Sequence, residues 1–261
     1  MRLLGIYIIF IGFCCQAFGS LTIPKNLSRN DRDTVTRTLG LTTSSKLLTN
    51  PYPLGGYSGV EVGVSLEFID TEALNRLGCD PGSSGCPNTE TPTNREFTFP
   101  RVTVGKGLYH DLDVFMHFAP PVEDIDLSDF GFQVRWSFYK AKFLPLSLAI
   151  NAHANQLNVD NKFTNQNYGA LLTAGVNVND FALYFGTGFV SAESQFTCGS
   201  AGDAVVDDTD SVCTGRGVVE NNQYGSHSVV GLAIEFLDMF AAAQIDRYRD
   251  PVFSGKLGVR F

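Results

Sequence analysis

The sequence predicts an all-β fold, an antiparallel transmembrane β-barrel of about ten strands that follows a short helical or irregular N-terminal segment. Two observations support this prediction. Apolar and polar residues alternate with a period of two in segment after segment from residue 57 to the last residue. The connections between these segments are alternately short and long, and the long ones are polar. Short turns at one end, longer loops at the other and an even number of strands are typical of membrane-spanning barrels.

The alternation is clear in seven segments, each of which places its apolar residues on one face. They are SGVEVGVSLEF, DLDVFMHFA, DFGFQVRWSF, LSLAINAHAN, YGALLTAGVNV, FALYFGTGF and SVVGLAIEF. Two weaker segments, FTFPRVTVGKG and MFAAAQIDR, and the C-terminal PVFSGKLGVRF bring the number to ten. Pro100 is expected to mark a bulge or a strand start, because proline cannot donate a hydrogen bond to the sheet.

The first 19 residues have the pattern of a cleaved secretory signal. Arg2 is the only charged residue, an apolar run covers 3–15, and small residues precede a cleavage point after Gly19. The run is shorter than the ~20 residues that a membrane-spanning helix needs. We therefore divide the chain into a signal peptide at 1–19, an N-terminal segment at 20–55 and the barrel at 56–261.

The segment 20–55 breaks the alternation and contains one short predicted helix. Ser28 is suited to the N-cap, Asp31 stands at the capping-box position, and Gly40 is the expected stop. Two placements stay open, an extension in the periplasm or a plug inside the barrel. The observation in favour of a plug is that many lumen-facing positions of the predicted strands are glycine or alanine, which leaves room inside.

Charge and cysteine content limit the partners of the chain. The net charge is −8 at pH 7, and a nucleic-acid partner would need a basic surface instead. Four cysteines remain after the signal peptide, and an even number in an exported chain predicts disulfides. The close pairs are Cys79–Cys86 and Cys198–Cys213, with zinc binding as the alternative. Asp203, Asp207, Asp208 and Asp210 lie in one long loop, where a solvated acidic loop is preferred over a calcium site.

The C-terminal residues FSGKLGVRF end on an aromatic side chain after an alternating pattern. The apolar face consists of Phe253, Leu257, Val259 and Phe261. This terminus resembles the assembly signal of Gram-negative outer-membrane β-barrel proteins, and the resemblance extends to the signal peptide and the ten-strand pattern. It implies the cell outer membrane of a Gram-negative bacterium as the location, and the lipid bilayer and the outer-membrane assembly machinery as partners. It does not identify a functional subfamily.

Aromatic residues cluster at the predicted strand ends, as an interfacial girdle requires. They are Tyr57, Phe68, Phe138, Tyr139, Tyr168, Phe181, Phe236, Phe240 and Phe261. A soluble sandwich whose core holds these aromatics is the alternative, and it leaves the terminal Phe261 unexplained.

The polar face of the strands supplies the candidate site residues, which would line the lumen. They are Glu61, Glu67, Asp113, His117, Gln133, Arg135, Asn151, His153, Asn155, Glu235, Lys256 and Arg260. Closure of the barrel places the first strand beside the last, so Glu61 is expected to meet Lys256 or Arg260.

Three functions follow from these predictions. The leading one is a narrow porin-like channel for small solutes or ions, with a weak cation preference because the loops are acidic. The alternative is a closed structural or adhesive barrel whose disulfide-stapled loops bind a surface ligand. The third is a hydrolase built on His117 or His153 with Asp113 or Ser147. No motif of known outer-membrane hydrolases stands out, so we expect no enzymatic activity, no cofactor and no metal.

Overall fold

The computed structural model describes residues 23–49, 51–77, 96–120, 126–141, 143–199, 204–206, 213 and 217–261. Within them, ten antiparallel strands form one closed barrel, which confirms the predicted fold. The strands are β1 (Val60–Asp70), β2 (Glu96–Gly107), β3 (Leu112–Phe118), β4 (Leu127–Lys140), β5 (Leu146–Val159), β6 (Phe163–Val178), β7 (Phe181–Thr197), β8 (Val218–Phe236), β9 (Met239–Arg247) and β10 (Pro251–Arg260).

The first and last strands close the barrel. β1 pairs with β10 from Glu61 opposite Arg260 to Phe68 opposite Phe253. Beyond this ladder, the amide of Val60 donates to the carbonyl of Phe261 over 3.0 Å, and the amide of Phe261 donates back over 2.9 Å. Closure removes the edges of the sheet, which is what a β-structure needs in a membrane.

The outer surface is apolar and the lumen is polar. On β4, Phe130, Phe132 and Trp136 are each nearly half exposed, whereas Asp129 and Arg135 on the other face are buried. An apolar outer band around a polar interior is the arrangement of a transmembrane barrel. Among the residues described, no helix combines the length and the apolar character needed to cross a bilayer.

The barrel wall is taller on one side. β6, β7 and β8 have 16, 17 and 19 residues, whereas β9 has 9. β9 pairs with β8 only as far as Ser228, so the part of β8 from Val218 to His227 rises beyond it at the end of the long connections. We call this end the loop end and the opposite one the turn end.

The N-terminal segment begins with the helix α1 (Arg29–Val35), which continues as one π-helical turn over Thr36–Leu41. The predicted capping box is confirmed, because Ser28 Oγ accepts from the amide of Asp31 and the Asp31 carboxylate accepts from the amide of Ser28. Gly40 does not end the helix as predicted. It lies inside the π-helical turn, and its role is one of close packing.

Two further predictions were wrong. Pro100 marks neither a bulge nor a strand start, because it pairs with Leu66 in an unbroken register. β3 ends at Phe118, opposite Val102, so the edge of β2 that faces β3 is unpaired at Pro100, where a missing amide hydrogen costs nothing. Phe240 is not in the interfacial girdle but buried in the lumen, since Met239 and Ile245 on the opposite parity of β9 face outward.

Candidate functional site

The N-terminal segment runs through the lumen from the loop end to the turn end. At the loop end, the amide of Leu27 donates to the carbonyl of Val205 over 3.0 Å. At the turn end, the amide of Leu54 donates to Asp113 Oδ1 over 3.1 Å, where β3 begins. Every residue from 38 to 49 is buried. The described part of 20–55 is therefore in contact with wall residues from one end to the other.

At the loop end, the helix α1 rests against the tall wall. The side-chain nitrogen Nδ2 of Asn221 on β8 donates to Asp33 Oδ1 over 2.9 Å and to Thr36 Oγ1 over 3.2 Å. Gln223, on the same face of β8, donates to the same Asp33 oxygen over 3.1 Å. The extra height of β8 thus supplies the polar contacts of the helix.

Apolar side chains fill the space between this helix and the strand ends. Val35 and Leu39 are completely buried. The wall residues of the same cluster include Ile69, Phe97, Phe99, Leu157, Phe163 and Phe196. Full burial of such a side chain contributes about 1.5–3 kcal/mol. The loop-end half of the segment is therefore held mainly by hydrophobic packing.

Gly40 approaches the wall more closely than a residue with a side chain could. A Cβ atom at Gly40 would lie 2.9 Å from Asn165 Oδ1 and 3.3 Å from the Cβ of Ala192. Asn165 Nδ2 donates to the Gly40 carbonyl over 3.2 Å. The glycine thus brings the segment into direct contact with β6 and β7.

Arg101 on β2 joins the segment to two strands at mid-height. Its guanidinium contacts Glu67 Oε1 at 2.7 Å and Asp129 Oδ2 at 2.8 Å. It also donates to the carbonyls of Ser44, over 3.2 Å, and Thr43. Arginine is suited to this position because its rigid planar group offers five donors. We call Lys46, Glu67, Arg101 and Asp129 the central cluster.

Lys46 is the cation that the segment itself contributes to the central cluster. Its Nζ donates to Tyr248 Oη over 2.9 Å, to the Ser44 carbonyl over 3.1 Å and to the Thr42 carbonyl. Glu67 Oε2 lies 3.7 Å away.

A second group of charges lies nearer the turn end, and we call it the lower cluster. Glu61 accepts from Lys256 Nζ over 2.7 Å and from Arg260 Nε over 2.9 Å, as closure of the barrel requires. Thr49 of the segment donates to the second oxygen of Glu61 over 3.0 Å. Arg260 also binds Glu235. The lower cluster thus joins β1, β8 and β10 to the segment.

The last part of the segment is fixed by hydrogen bonds to its backbone. Ser137 Oγ on β4 donates to the Pro51 carbonyl over 2.8 Å. Asp113, which accepts from the amide of Leu54, is itself paired with Arg135 at 2.8 Å. These bonds are needed because an irregular buried backbone must find partners outside itself.

The inward glycines were expected to leave room for a plug, but several of them leave room for side chains of the wall itself. A side chain at Gly131 would collide with the ring of His117, and one at Gly169 with the ring of His153. Gly175, by contrast, lies against Pro51 of the segment. Most of the space therefore accommodates large polar side chains of neighbouring strands, and only part of it accommodates the segment.

Three histidines lie in the lumen near the central cluster. His117 Nε2 is 3.3 Å from Ser45 Oγ and 3.9 Å from Asp129. His227 Nε2 is 2.7 Å from Asp246 Oδ1, and its ring stacks on Tyr248 at 4.3 Å between centroids. His153 Nε2 is buried and has no hydrogen-bond partner among the described residues.

The remaining predicted lumen residues form amide contacts between strands. Gln133 Nε2 donates to Asn151 Oδ1 over 3.4 Å, and Asn151 Nδ2 donates to Thr173 over 3.0 Å. Asn155 Nδ2 donates to the Thr43 carbonyl of the segment over 3.2 Å. Ten of the twelve predicted lumen residues are buried, and Glu235 and Arg260 are partly buried.

The groups of the hydrolase hypothesis are not assembled in the described residues. Asp113 is paired with Arg135, and His117 contacts Ser45 and Asp129 instead. His117 has one hydroxyl within hydrogen-bond distance, that of Ser45, but Asp129 approaches the same ring nitrogen, Nε2, and therefore does not hold the ring from its opposite side as the orienting group of a histidine base would. The described ranges also hold no group of three or more His, Cys, Asp or Glu residues placed to bind a metal.

The sequence did not identify several residues that form contacts inside the lumen. They are Arg101, Asp129, His227, Gln244, Asp246 and Tyr248. Asp129 has the same parity as the predicted Gln133, so the alternation itself could have found it. Arg101 and Asp246 lie on the two weak segments, where the alternation was too short to assign a lumen face.

One of the two predicted disulfides lies within the described part of the chain. Cys198 and Cys213 are bonded, which excludes these two as zinc ligands. Cys79 and Cys86, the aspartates of the acidic loop and the signal peptide lie outside the described residues.

Comparison with known proteins finds outer-membrane proteins among the similar solved structures, at a low level of similarity. No family model matches the chain, and no curated protein does. Similar solved structures include a loop-deletion mutant of OmpT, an outer membrane protein of Vibrio cholerae (13% identity, TM-score 0.31), which aligns with 65% of this chain over 55% of its own length. Ail of Yersinia pestis (11%, TM-score 0.29) aligns with 78% of this chain over 97% of its own. The KdgM porin (7%, TM-score 0.33) aligns with 78% over 98%.

Likenesses at this level carry no argument about function, so the assignment depends on the architecture itself. The closed antiparallel barrel and the apolar outer band are features of outer-membrane barrels. The predicted alternation of short and long connections holds only in part, because the loop-end links between β5 and β6 and between β9 and β10 have three residues each. In such barrels the turns face the periplasm and the long loops face the exterior. The chain is a ten-stranded transmembrane β-barrel of the Gram-negative outer-membrane type.

Proposed function

We propose that this protein is a surface component of the outer membrane whose lumen is closed by its own N-terminal segment. The observation that carries the proposal is the continuous set of contacts between segment and wall. It extends from Leu27 at the loop end, through the central and lower clusters, to Leu54 at the turn end. A solute therefore has no passage while the segment is in place.

The space left beside the segment supports a closed resting state. A cavity next to Lys46, lined by Glu67, Arg101, His117 and Lys256 among others, has a volume of about 10 Å³. This is the volume that one water molecule requires. The loop end then has the exposed role, since the Cys198–Cys213 disulfide stabilises a connection that faces the exterior.

A narrow cation-preferring pore is the second candidate, and it requires the segment to leave the lumen. The specific observation is the charge of the wall in the described strands. Its acidic residues are Glu61, Glu67, Asp113, Asp129, Glu235 and Asp246, and its basic residues are Arg101, Arg135, Lys256 and Arg260. Without the segment the wall is therefore net negative, and it would attract small cations.

Single-channel recording in planar bilayers tests both proposals. We expect the wild-type protein to give no conductance steps, and a variant that lacks residues 23–50 to give discrete steps with a cation-selective reversal potential. Steady conductance of the wild type would contradict the closed lumen. A folded deletion variant without conductance would rule out the pore and leave the closed surface barrel.

A disulfide lock is the matched control for this experiment. The ideal Cβ position of Gly40 lies 3.3 Å from the Cβ of Ala192, close to the ~3.5–4.5 Å of disulfides. Gly40→Cys combined with Ala192→Cys should therefore fix the segment to β7, provided that Asn165→Ala also removes the side chain that a Cβ at residue 40 would meet at 2.9 Å. Any channel activity of the reduced triple variant should disappear on oxidation, whereas oxidation should leave the deletion variant unchanged.

A further inference from the structure

The wall places a hydroxyl, an aromatic ring and a carboxylate around the Lys46 ammonium, and the Thr42 and Ser44 carbonyls of the segment complete its surroundings. Tyr248 lies in the β9–β10 turn, a short link at the loop end of the barrel. Its hydroxyl accepts from Nζ over 2.9 Å, and the centre of its ring is 4.6 Å from Nζ. Glu67 on β1 places Oε2 at 3.7 Å. A hydroxyl, an aromatic face and a carboxylate are the groups that bind an ammonium ion in proteins.

Glu67 has one oxygen available for a cation. Its Oε1 accepts from Arg101, whereas Oε2 is buried and accepts no hydrogen bond from the described residues. The side chain is completely buried. An unpaired buried carboxylate oxygen is costly, so a cation beside it is strongly favoured.

The charges around this point also favour a cation. Arg101 is the basic wall residue in direct contact with Glu67, and it binds Asp129 as well. Asp246 contacts His227, whose ring stacks on Tyr248. Two carboxylates thus share one guanidinium, and Lys46 supplies a further positive charge.

We propose that β1 and the β9–β10 turn form a binding site for a primary ammonium group, which Lys46 fills from within the same chain. Small primary alkylammonium ions are the ligand class, because one hydroxyl and one carboxylate oxygen match a compact ammonium. A planar guanidinium needs two parallel acceptors, which the site does not offer. The idea that an external amine could displace Lys46 and loosen the segment depends on the proposed closed lumen, whereas binding of an ammonium ion at these groups is tested separately, through the stability of the protein.

Chemical rescue of Lys46→Ala tests the site without any channel measurement. The substitution removes three methylenes and the ammonium, so n-propylammonium is the matching probe. We expect a clear loss in the thermal unfolding midpoint of the detergent-solubilised barrel, and a saturable recovery on addition of n-propylammonium. n-Propanol and guanidinium should give no recovery, and the wild type should not respond.

Two variants separate ammonium binding from simple filling of a hole. Lys46→Met occupies the space with an uncharged chain, so n-propylammonium should not restore its stability. Adding Glu67→Gln to Lys46→Ala should abolish the saturable recovery. Equal rescue by n-propanol, or rescue that survives Glu67→Gln, would overturn the proposal.

If Lys46→Ala does not fold in the absence of a ligand, refolding experiments still test the ammonium site. Refolding into detergent in the presence of n-propylammonium, but not of n-propanol, supports the site. If it folds in neither, the same titration is made on Lys46→Gln, which retains a polar side chain. No saturable response in that variant would overturn the proposal. Bilayer conductance is a separate readout, so failure of the closed-lumen proposal would be recognised independently.

Discussion

The two halves of the N-terminal segment both contact the barrel wall but are held by different forces. The half at the loop end, residues 23–41, is largely helical and packs Val35 and Leu39 against apolar strand ends. The half at the turn end, residues 42–55, is irregular and is held by ion pairs and hydrogen bonds such as those of Lys46 and Thr49. A helix satisfies much of its own backbone, whereas an irregular chain depends on its surroundings.

This difference explains how so polar a stretch can be buried. Residues 38–49 read TLGLTTSSKLLT, and every one of them is inaccessible. In an apolar core the hydroxyls and the lysine would be unpaired at a high cost. The lumen wall instead offers arginine, asparagine and carboxylate groups at the required positions. The comparison predicts that the turn-end half is more sensitive to single polar changes and the loop-end half to loss of volume.

The largest effect is expected from Arg101→Met at the centre of the polar half. The variant leaves Asp129 buried without its arginine and Glu67 with only the more distant Lys46 ammonium, and breaking a buried pair typically costs about 3–5 kcal/mol. Chemical unfolding of the barrel in detergent, followed by tryptophan fluorescence, measures the change. Arg247→Met at the exposed end of β9 is the control, with an expected change within about 0.5 kcal/mol. Similar losses in both variants would contradict the role of the central cluster.

Leu39→Ala tests the apolar half, and we expect a loss of about 3 kcal/mol in the same assay, because a buried leucine leaves a cavity. The control is Leu172→Ala on the lipid-facing side of β6, where the leucine is 50% exposed and should matter much less. If Leu39→Ala and its control lowered the free energy of unfolding by the same small amount, hydrophobic packing would not be what holds the loop-end half.

Ser137→Ala removes one anchor of the turn-end half. The buried Pro51 carbonyl loses its partner, and we expect a cost of about 1–2 kcal/mol. Faster amide hydrogen exchange should appear in residues 42–55 and not in α1. Ser254→Ala is the control, because the buried Ser254 hydroxyl has no partner among the described residues. Equal exchange in both variants would count against this anchor.

Ser28→Ala removes the N-cap of α1 and should have the smallest effect, about 1 kcal/mol. Here faster amide hydrogen exchange is expected in residues 29–35, and the exchange rates of residues 42–55 should not change. The exposed Asn30→Ala in the same helix serves as the comparison. Exchange that spreads through the whole segment would show that the two halves open together and do not behave as separate units.

The sequence predicted the strands of the barrel wall much better than the path of the N-terminal segment inside it. Strand parity alone places Glu61 beside Lys256 and Arg260, because β1 must meet β10 in a closed barrel. It fails where the alternation is short, and so Phe240 was assigned to the lipid face and Arg101 and Asp246 were overlooked.

The path of the segment could not be obtained in this way. The capping box of Ser28 is a local signal, and it was read correctly. The bonds of Lys46 to Tyr248 and of Arg101 to Ser44 join residues 202 and 57 positions apart, with no repeating pattern between them. Glycines at inward positions indicated available space, but they could not show that Gly175 faces Pro51 while Gly131 faces His117.

The hydrogen bonds between Val60 and Phe261 have a consequence for the order of assembly. The segment leaves the lumen at residues 51–55 and enters the wall at Val60, directly beside the final residue of the chain. Once β10 has joined β1, the segment can enter only lengthwise through the end of a finished cylinder. A route in which residues 23–55 are enclosed while the sheet is still open avoids that passage, and the wall then forms around its own contents.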